Sequence, residues 1–174
     1  MPGGVAQDAK RKPLPVARTN EVTLAGLRPG IDSSARAKTL HKRLSPSANA
    51  AGEMSYVSDC PKQKLTIEVD ENHKIQTVRT DIVFWDGDCL RTGTVWRTGR
   101  GLQLTDTVDR VIRIYGPPDA RSPSTKGGQQ LELLYYAFDW AGPDVPQVME
   151  VLCTVGKDGE PGRVVEITLA ASSL

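Results

Sequence analysis

GLQLTDTVDRVIRIYGPP, residues 101–118, is the stretch that decides the expected fold. Thr105 or Asp106 is placed to cap the N-terminus of a helix. Four apolar residues then recur at helical spacing, Val108, Val111, Ile112 and Tyr115. Gly116 suits the left-handed position after the last turn, and the two prolines that follow do not continue a helix. The stretch therefore predicts a short amphipathic helix with both ends marked.

Three segments rich in strand-forming residues follow this helix. After the polar residues 120–130, which we interpret as a loop, they occupy residues 131–140, 148–155 and 164–170. The connections between them hold turn-forming residues, which favours antiparallel pairing of neighbouring strands. Residues 101–174 therefore predict one helix packed on an antiparallel sheet.

The same order of elements is repeated in the first half of the chain. Gly26-Leu27 corresponds to Gly101-Leu102, and a second capped helix is expected after Asp32 or Ser33. The spacing of Ile75 and Val78 parallels that of Val164 and Ile167. The predicted organisation is a flexible basic and proline-rich tail at 1–21, a first unit at 22–85, a linker at 86–100 and a second unit at 101–174. The expected fold class is α+β: two tandem units of a short helix on an antiparallel sheet, with the other sheet face partly open.

Charge and hydropathy exclude two classes of function. Lys plus Arg total 22 against 21 Asp plus Glu, a net charge of +1, so the basic excess of a nucleic-acid-binding protein is missing. No apolar run approaches the roughly 18 residues of a transmembrane helix. We therefore expect no nucleic-acid partner and no transmembrane span.

Patterns of catalytic and metal-binding residues are missing from the sequence. It has no nucleophile elbow, no Walker A motif and no dinucleotide-binding glycine motif after a strand. His41 is expected on a short helix and His73 in a hairpin turn, positions where polar side chains are ordinary. No two cysteines have the spacing of a zinc site, and Asp81, Asp86 and Asp88 lack the register of a calcium loop. We expect a non-catalytic protein without metal or cofactor.

The three cysteines leave two readings open. Cys60 and Cys89 each follow a predicted strand and bracket a loop of about thirty residues, so they form either a tentative disulfide or two free thiols. Cys153 falls inside an apolar strand and is expected to be a small buried hydrophobic residue.

The first residues bear on the compartment. Gly4-Val5-Ala6 before Gln7-Asp8 resembles the end of a signal peptide followed by the start of a mature chain. This favours a periplasmic or secreted protein whose leader is missing from this chain, with a cytoplasmic protein as the alternative.

An aromatic row is the main candidate binding site. Tyr136, Phe138 and Trp140 alternate along one predicted strand, so their side chains share one sheet face. Glu150 and Glu166 fall on the polar phase of the next two strands, and we expect all five on the open face, as anchors in a polar rim. Trp85 and Trp96 flank the linker and are assigned either to this surface or to the core between the units.

The order of these motifs resembles a known module. Thr105-Asp106-Thr107, Tyr115-Gly116-Pro117-Pro118 and Val164-Val165-Glu166-Ile167 are similar to the helix-plus-sheet module of the BamE (SmpA/OmlA) outer-membrane assembly lipoproteins. The tandem arrangement resembles that of the β-lactamase inhibitory protein family. The resemblance spans about residues 24–174 and implies a protein-binding module, although inhibition of a lactamase does not follow from the fold.

The expected function is therefore protein interaction. We predict an exported module that binds another protein through its open sheet face, with an association with the cell envelope. The alternative is a small-molecule or lipid carrier, which would need an apolar pocket between helix and sheet.

Overall fold

Helices and strands follow one another in the same order in both halves of the chain. The computed structural model describes residues 19–44, 46–48, 52–59, 62–82, 96–138 and 146–171. The first half contains α1 (Ser34–Leu40), β1 (Ser47–Ala48), β2 (Glu53–Asp59), β3 (Lys62–Val69) and β4 (Ile75–Ile82). The second half contains α2 (Val108–Tyr115), β5 (Ala120–Lys126), β6 (Gln129–Ala137), β7 (Val148–Thr154) and β8 (Val164–Ala170).

All eight of these strands belong to a single antiparallel sheet with the order β1-β2-β3-β4-β8-β7-β6-β5. The expected fold class, α+β with two tandem helix-plus-sheet units, is therefore wrong. The last strand of each half pairs with the other, with Val78 opposite Leu169 and Thr80 opposite Ile167. Pairing β4 with β8 satisfies backbone groups that two separate sheets would leave at exposed edges. The helices that accompany the sheet are only seven and eight residues long.

Both predicted helices form, and only the start of α2 needs a correction. The N-cap of α2 is Thr107, whose side chain accepts a hydrogen bond from the Arg110 N–H, rather than Thr105 or Asp106. Gly116 ends α2 with a φ of 84°, as its position in the sequence predicts. The N-cap of α1 is Ser33, one of the two residues expected there.

The interpretation of the polar segment 120–130 as a loop is wrong. This segment forms β5 and the start of β6, joined by Gly127 and Gly128, whose φ values of 57° and 78° are those of a type I′ hairpin turn. β5 is an edge strand with mostly exposed, polar side chains, so it lacks the apolar alternation that identifies a strand. Pro123 stands in its middle, opposite Glu132. Counting pairs from the hairpin turn, its missing N–H falls on the outer side of the sheet.

One face of the sheet packs against the helices and forms the core. Two of its rows run across the strands with fully matched register and buried side chains. They are Met54, Ile67, Val78, Leu169, Met149 and Tyr136, and Tyr56, Leu65, Thr80, Ile167, Val151 and Leu134. The α2 residues Val111 and Tyr115 are fully buried in the same cluster, as expected for the helix face on which they lie.

The expected facing of the aromatic row is wrong. Tyr136 is 1 % exposed and lies on the helix side, where its hydroxyl donates to the Gly116 carbonyl at 2.9 Å and its ring contacts that of Tyr115 at 5.9 Å. Phe138 is also buried in the core. Both phases of β6 are apolar (Leu133 beside Leu134, Tyr135 beside Tyr136), so alternation alone leaves the inward phase undecided.

A buried glutamate ties the N-terminal segment to α2. Glu21, which the sequence places in the flexible tail, is 2 % exposed. Its Oε2 accepts hydrogen bonds from the Tyr115 hydroxyl at 2.7 Å and from the Arg100 N–H at 3.0 Å. Its Oε1 accepts from the backbone N–H groups of the next two residues. Since the Tyr115 hydroxyl also lies 2.7 Å from Thr98 Oγ1, three distant segments meet at one carboxylate.

The sheet curves away from the helices. Lys126 Nζ, at the end of β5, lies 2.5 Å from Glu166 Oε2 and 3.0 Å from Asp81 Oδ2. β5 is three strands from β8, about 14 Å on a flat sheet, and Lys126 is offset by a further distance along the strands. Lys126 reaches Glu166 only because the sheet bends toward the face opposite the helices. We call this face the concave face.

The Lys126 contact also relieves a repulsion at the centre of the sheet. Asp81 on β4 and Glu166 on β8 are directly opposite each other, an arrangement of like charges that destabilises a strand pair. Burial alone would lower the pKa of Lys126, but its hydrogen bonds to Glu166 and Asp81 and their negative charges outweigh burial and raise this pKa. The ammonium group is therefore held in its charged form between the two carboxylates.

We expect Tyr115→Phe to lower the free energy of unfolding by roughly 1–3 kcal/mol, because a buried carboxylate loses a hydrogen-bond donor. Urea unfolding followed by circular dichroism measures the change. Tyr135→Phe is the matched control, since that ring lies on the opposite side of the sheet, and it should leave the midpoint almost unchanged. Equal unfolding free energies for Tyr115→Phe and the parent would contradict a stabilising role for the Glu21 contact.

We expect Lys126→Gln to lower the free energy of unfolding by about 0.2–1 kcal/mol at low salt, the range for partly exposed ion pairs. A raised lysine pKa stabilises the fold fully below the unfolded-state pKa, and this stability is lost as pH rises through the folded-state pKa. The difference between parent and variant should therefore be present at pH 7, shrink in high salt and shrink again at alkaline pH. Lys157→Gln, a change at an exposed turn, is the control. If the difference in unfolding free energy between the parent and Lys126→Gln does not depend on salt concentration, an ionic origin is ruled out.

Candidate interaction surface

The concave face carries a row of mainly polar side chains that crosses six strands without a break. The register from β2 to β6 places these residues side by side: Ser55, Thr66, Arg79, Thr168, Glu150 and Tyr135. We call this set the central row. Residues paired across neighbouring strands lie about 5 Å apart, so the row is a continuous strip of hydroxyl groups, one guanidinium, one carboxylate and one phenol.

Two further rows flank the central row on the same face. On one side lie Glu53, Glu68, Thr77, Ala170, Val148 and Ala137. On the other side lie Val57, Lys64, Asp81, Glu166, Leu152 and Leu133. The face therefore combines a polar centre with apolar residues toward β6 and β7, the mixture typical of protein-interaction surfaces.

Two residues in the middle of this face have little contact with solvent. Thr66 is 1 % exposed and Thr168 is 7 % exposed, although neither side chain is on the helix side. The Thr66 hydroxyl has no hydrogen-bond partner within the described part of the chain. A buried hydroxyl without a hydrogen-bond partner lowers the stability of the fold. The residue next to Thr66 on β4 is Arg79.

The concave face has an excess of negative charge. Among the side chains that the structure describes on this face, five are carboxylates and three are cations: Glu53, Glu68, Asp81, Glu150 and Glu166, and Lys64, Arg79 and Lys126. Lys126 is committed to Asp81 and Glu166. Arg79 and Glu150 are separated by the strand that carries Thr168, and neither forms an ion pair with another described residue. Both remain available to a partner.

The structure divides the sequence-predicted site residues into three groups. Glu150 and Glu166 lie on the concave face, as expected for the open side of the sheet. Tyr136 and Phe138 are buried instead. Trp96 is also buried, the core position being one of the two left open for it, and its ring lies edge-on to that of His41 at 6.4 Å. The remaining predicted residues lie outside the described part of the chain, namely Trp85, Trp140, Cys60 and Cys89.

Several residues of the concave face were missed by sequence reasoning. Tyr135 takes the place that the sequence assigned to Tyr136, one residue along the same strand. Arg79 and Thr66 carry no motif, and only the strand register brings them beside Thr168. The sequence signal that could have identified this face is the alternation in β7 and β8, because Glu150 marks the residues that point away from the core. Its partner on β6 is Tyr135.

Neither the histidines nor the described cysteine form a reactive site. Desolvation lowers the pKa of His41, whose hydrogen bond to the Ala25 backbone opposes but does not cancel the effect. Burial raises the pKa of the Cys153 thiol to about 12, so it is protonated and unreactive at neutral pH, in agreement with its expected core position. Within the described residues, no three side chains of His, Cys, Asp or Glu are grouped closely enough to hold a metal ion.

Three surface grooves lie at the rim of the sheet. Two of about 350 and 290 Å³ share Pro123, Leu131 and Val155 beside the β5–β6 hairpin. The third, of about 250 Å³, lies between α1 and β2 and includes Lys38 and Met54. None of these three opens between α2 and the sheet, where the Tyr115 and Tyr136 rings are in contact.

In the described chain, no helix has the length and apolar content needed to cross a bilayer.

Comparison with known proteins shows no family for this chain. No family model matches the sequence, and no curated protein matches it. One solved structure, a cysteine-rich secretory protein from Staphylococcus aureus subsp. aureus Mu50, matches over 83 % of this chain at 9 % identity with a TM-score of 0.35. The match spans 48 % of that protein's chain, so this chain corresponds to about half of its length. The resemblance to BamE and to the β-lactamase inhibitory protein family stays a prediction.

Proposed function

We propose that the concave face binds another protein, one that inserts a protruding basic loop into the curve of the sheet. The observation that carries this proposal is the central row, an unbroken strip of polar side chains on a sheet face opposite the helices. On an ordinary solvated sheet face the side chains are open to water, whereas Thr66 and Thr168 are buried on this face without belonging to the core.

The residue types at the centre suit a binding interface. Tyrosine and arginine are enriched among the residues that contribute most to protein–protein affinity, and Tyr135 and Arg79 lie on the same row. Leu133 and Leu152 continue the surface as an apolar patch beside them. A partner loop would thus meet apolar contact at one side of the face and hydrogen-bonding groups at its centre.

Charge defines the partner further. Five carboxylates against three cations on the concave face favour a loop with lysine or arginine residues, placed to meet Glu150 and Glu68. Complementary charge of this kind speeds association and sets orientation more than it raises affinity. We therefore expect association with the partner to slow as ionic strength rises.

The carrier alternative requires an apolar pocket between helix and sheet. The groove between α1 and β2 is lined in part by charged side chains such as Lys38 and Glu53, and the Tyr115 and Tyr136 rings are in contact where α2 meets the sheet. These observations favour a protein partner over a carrier. Export of the protein and association with the cell envelope also belong to this proposal. They are supported by the sequence at Gly4-Val5-Ala6 and by the resemblance to BamE, and a protein that binds an exported partner would need to reach the same compartment.

The experiment replaces Tyr135 with a photo-crosslinking amino acid and identifies the protein that it captures in the native host. Arg113, exposed on the outer side of α2, receives the same replacement as a matched control. We expect a protein captured from position 135 and not from position 113, joined through a segment that contains lysine or arginine. No capture from Tyr135, or the same products from both positions, would contradict a partner on the concave face.

Affinity for the purified captured protein then tests the site itself. Arg79→Ala should weaken binding by about thirtyfold, the loss expected for a central interface residue. Glu150→Lys should weaken it at least tenfold by placing like charges together. Arg113→Ala should bind as the parent does, and unchanged affinity in both concave-face variants would refute the proposal even if capture succeeds.

A further inference from the structure

A cluster of cations lies on α1 and on the turn that follows it, on the opposite side of the sheet from the concave face. Residues 33–52 contain no Asp or Glu. Four basic side chains in this stretch are exposed, those of Arg36, Lys38, Lys42 and Arg43. We call these four residues the α1 basic patch. Four cations within eight residues, with no acidic residue between them, form a strongly positive local surface.

The charges of this patch are not used within the described protein. None of the four side chains forms an ion pair with another described residue. His41, which lies between them, is half-buried with a lowered pKa, so at neutral pH it packs against Tyr56 rather than adding charge. Exposed cations without partners inside the fold are free to attract an external anion.

The four cations of the patch make the helix layer basic as a whole. Residues 21–44 and 96–116 together contain nine Lys and Arg against four Asp and Glu. The concave face, by contrast, has more carboxylates than cations. The near-neutral net charge is therefore the sum of an excess of cations on the helix side and an excess of carboxylates on the concave face.

Apolar side chains accompany the basic patch. Leu40 is 40 % exposed and Ile31 is 37 % exposed, two of the few large hydrophobic residues that reach the surface. On α1, Arg36 precedes Leu40 by four residues, so these two side chains lie on one side of the helix, and Lys42 and Arg43 follow directly after the C-cap His41. Exposed apolar side chains beside exposed cations suit a bilayer surface, where the apolar groups enter the interfacial region and the cations meet anionic headgroups.

We propose that the α1 basic patch binds the surface of an anionic lipid bilayer, with Leu40 and Ile31 entering the interfacial region. A nucleic acid is less well matched, because α1 carries no aromatic residue to stack on bases and its exposed apolar side chains would stay in water. The patch does not overlap the central row, so this inference is independent of the proposed protein partner. A chain bound in this way would turn its concave face away from the membrane.

The test measures partition of the full chain onto vesicles by co-sedimentation. Vesicles of phosphatidylcholine with phosphatidylglycerol are compared with vesicles of pure phosphatidylcholine. Lys42→Glu should weaken binding to the anionic vesicles about fivefold for the lost positive charge and about as much again for the added negative charge. Lys157→Glu makes the same change at an exposed turn away from α1 and should bind as the parent does.

Leu40→Gln and a DNA duplex separate a membrane from other polyanions. Leu40→Gln should weaken binding to anionic vesicles without reducing any binding to the duplex. The proposal is overturned if pure phosphatidylcholine binds equally well, or if Lys42→Glu and Lys157→Glu lose the same affinity. It is also overturned if Leu40→Gln leaves vesicle binding unchanged, or if the duplex displaces the protein from vesicles, since the patch would then be a general anion site.

Discussion

The pairing of β4 with β8 is the contact on which the rest of the structure depends. It joins the strands of the first half to those of the second and turns two possible sheets into one. On the helix side the pair contributes Val78, Leu169 and Ile167 to the core, so both helices pack on a common layer. On the other side it places Arg79 beside Thr168 at the middle of the concave face. Without this pair neither the continuous core nor the central row would exist.

The same pair carries an electrostatic cost that the fold resolves at a distance. Asp81 and Glu166 face each other at the join, and the cation between them comes from Lys126 at the far edge of the sheet. Curvature and charge neutralisation are therefore coupled, because Lys126 reaches the two carboxylates only when the sheet bends. The N-terminal segment is fixed by a comparable contact on the helix side, where Glu21 accepts from Tyr115.

Sequence reasoning recovered local elements well and long-range arrangement poorly. The helix at α2 carries its own end signals, so Gly116 and the buried faces of Val111 and Tyr115 could be predicted. Glu150 marked the outward phase of β7 because a lone carboxylate is costly in a core. The phase of β6 could not be read because both of its faces are apolar, and the strand at Ala120–Lys126 could not be read because both of its faces are polar. The joining of the halves depends on edges that meet only in three dimensions.

Pro123 has a consequence for how this sheet behaves in a crowded solution. A sheet edge with a full set of outward N–H groups is a template on which further chains can add, and growth by such addition leads to aggregates. In β5 the proline removes the central donor from that edge, and the short I′ turn at Gly127-Gly128 ends the strand a few residues later. At this edge of the sheet a further chain would therefore find a template that lacks its central donor.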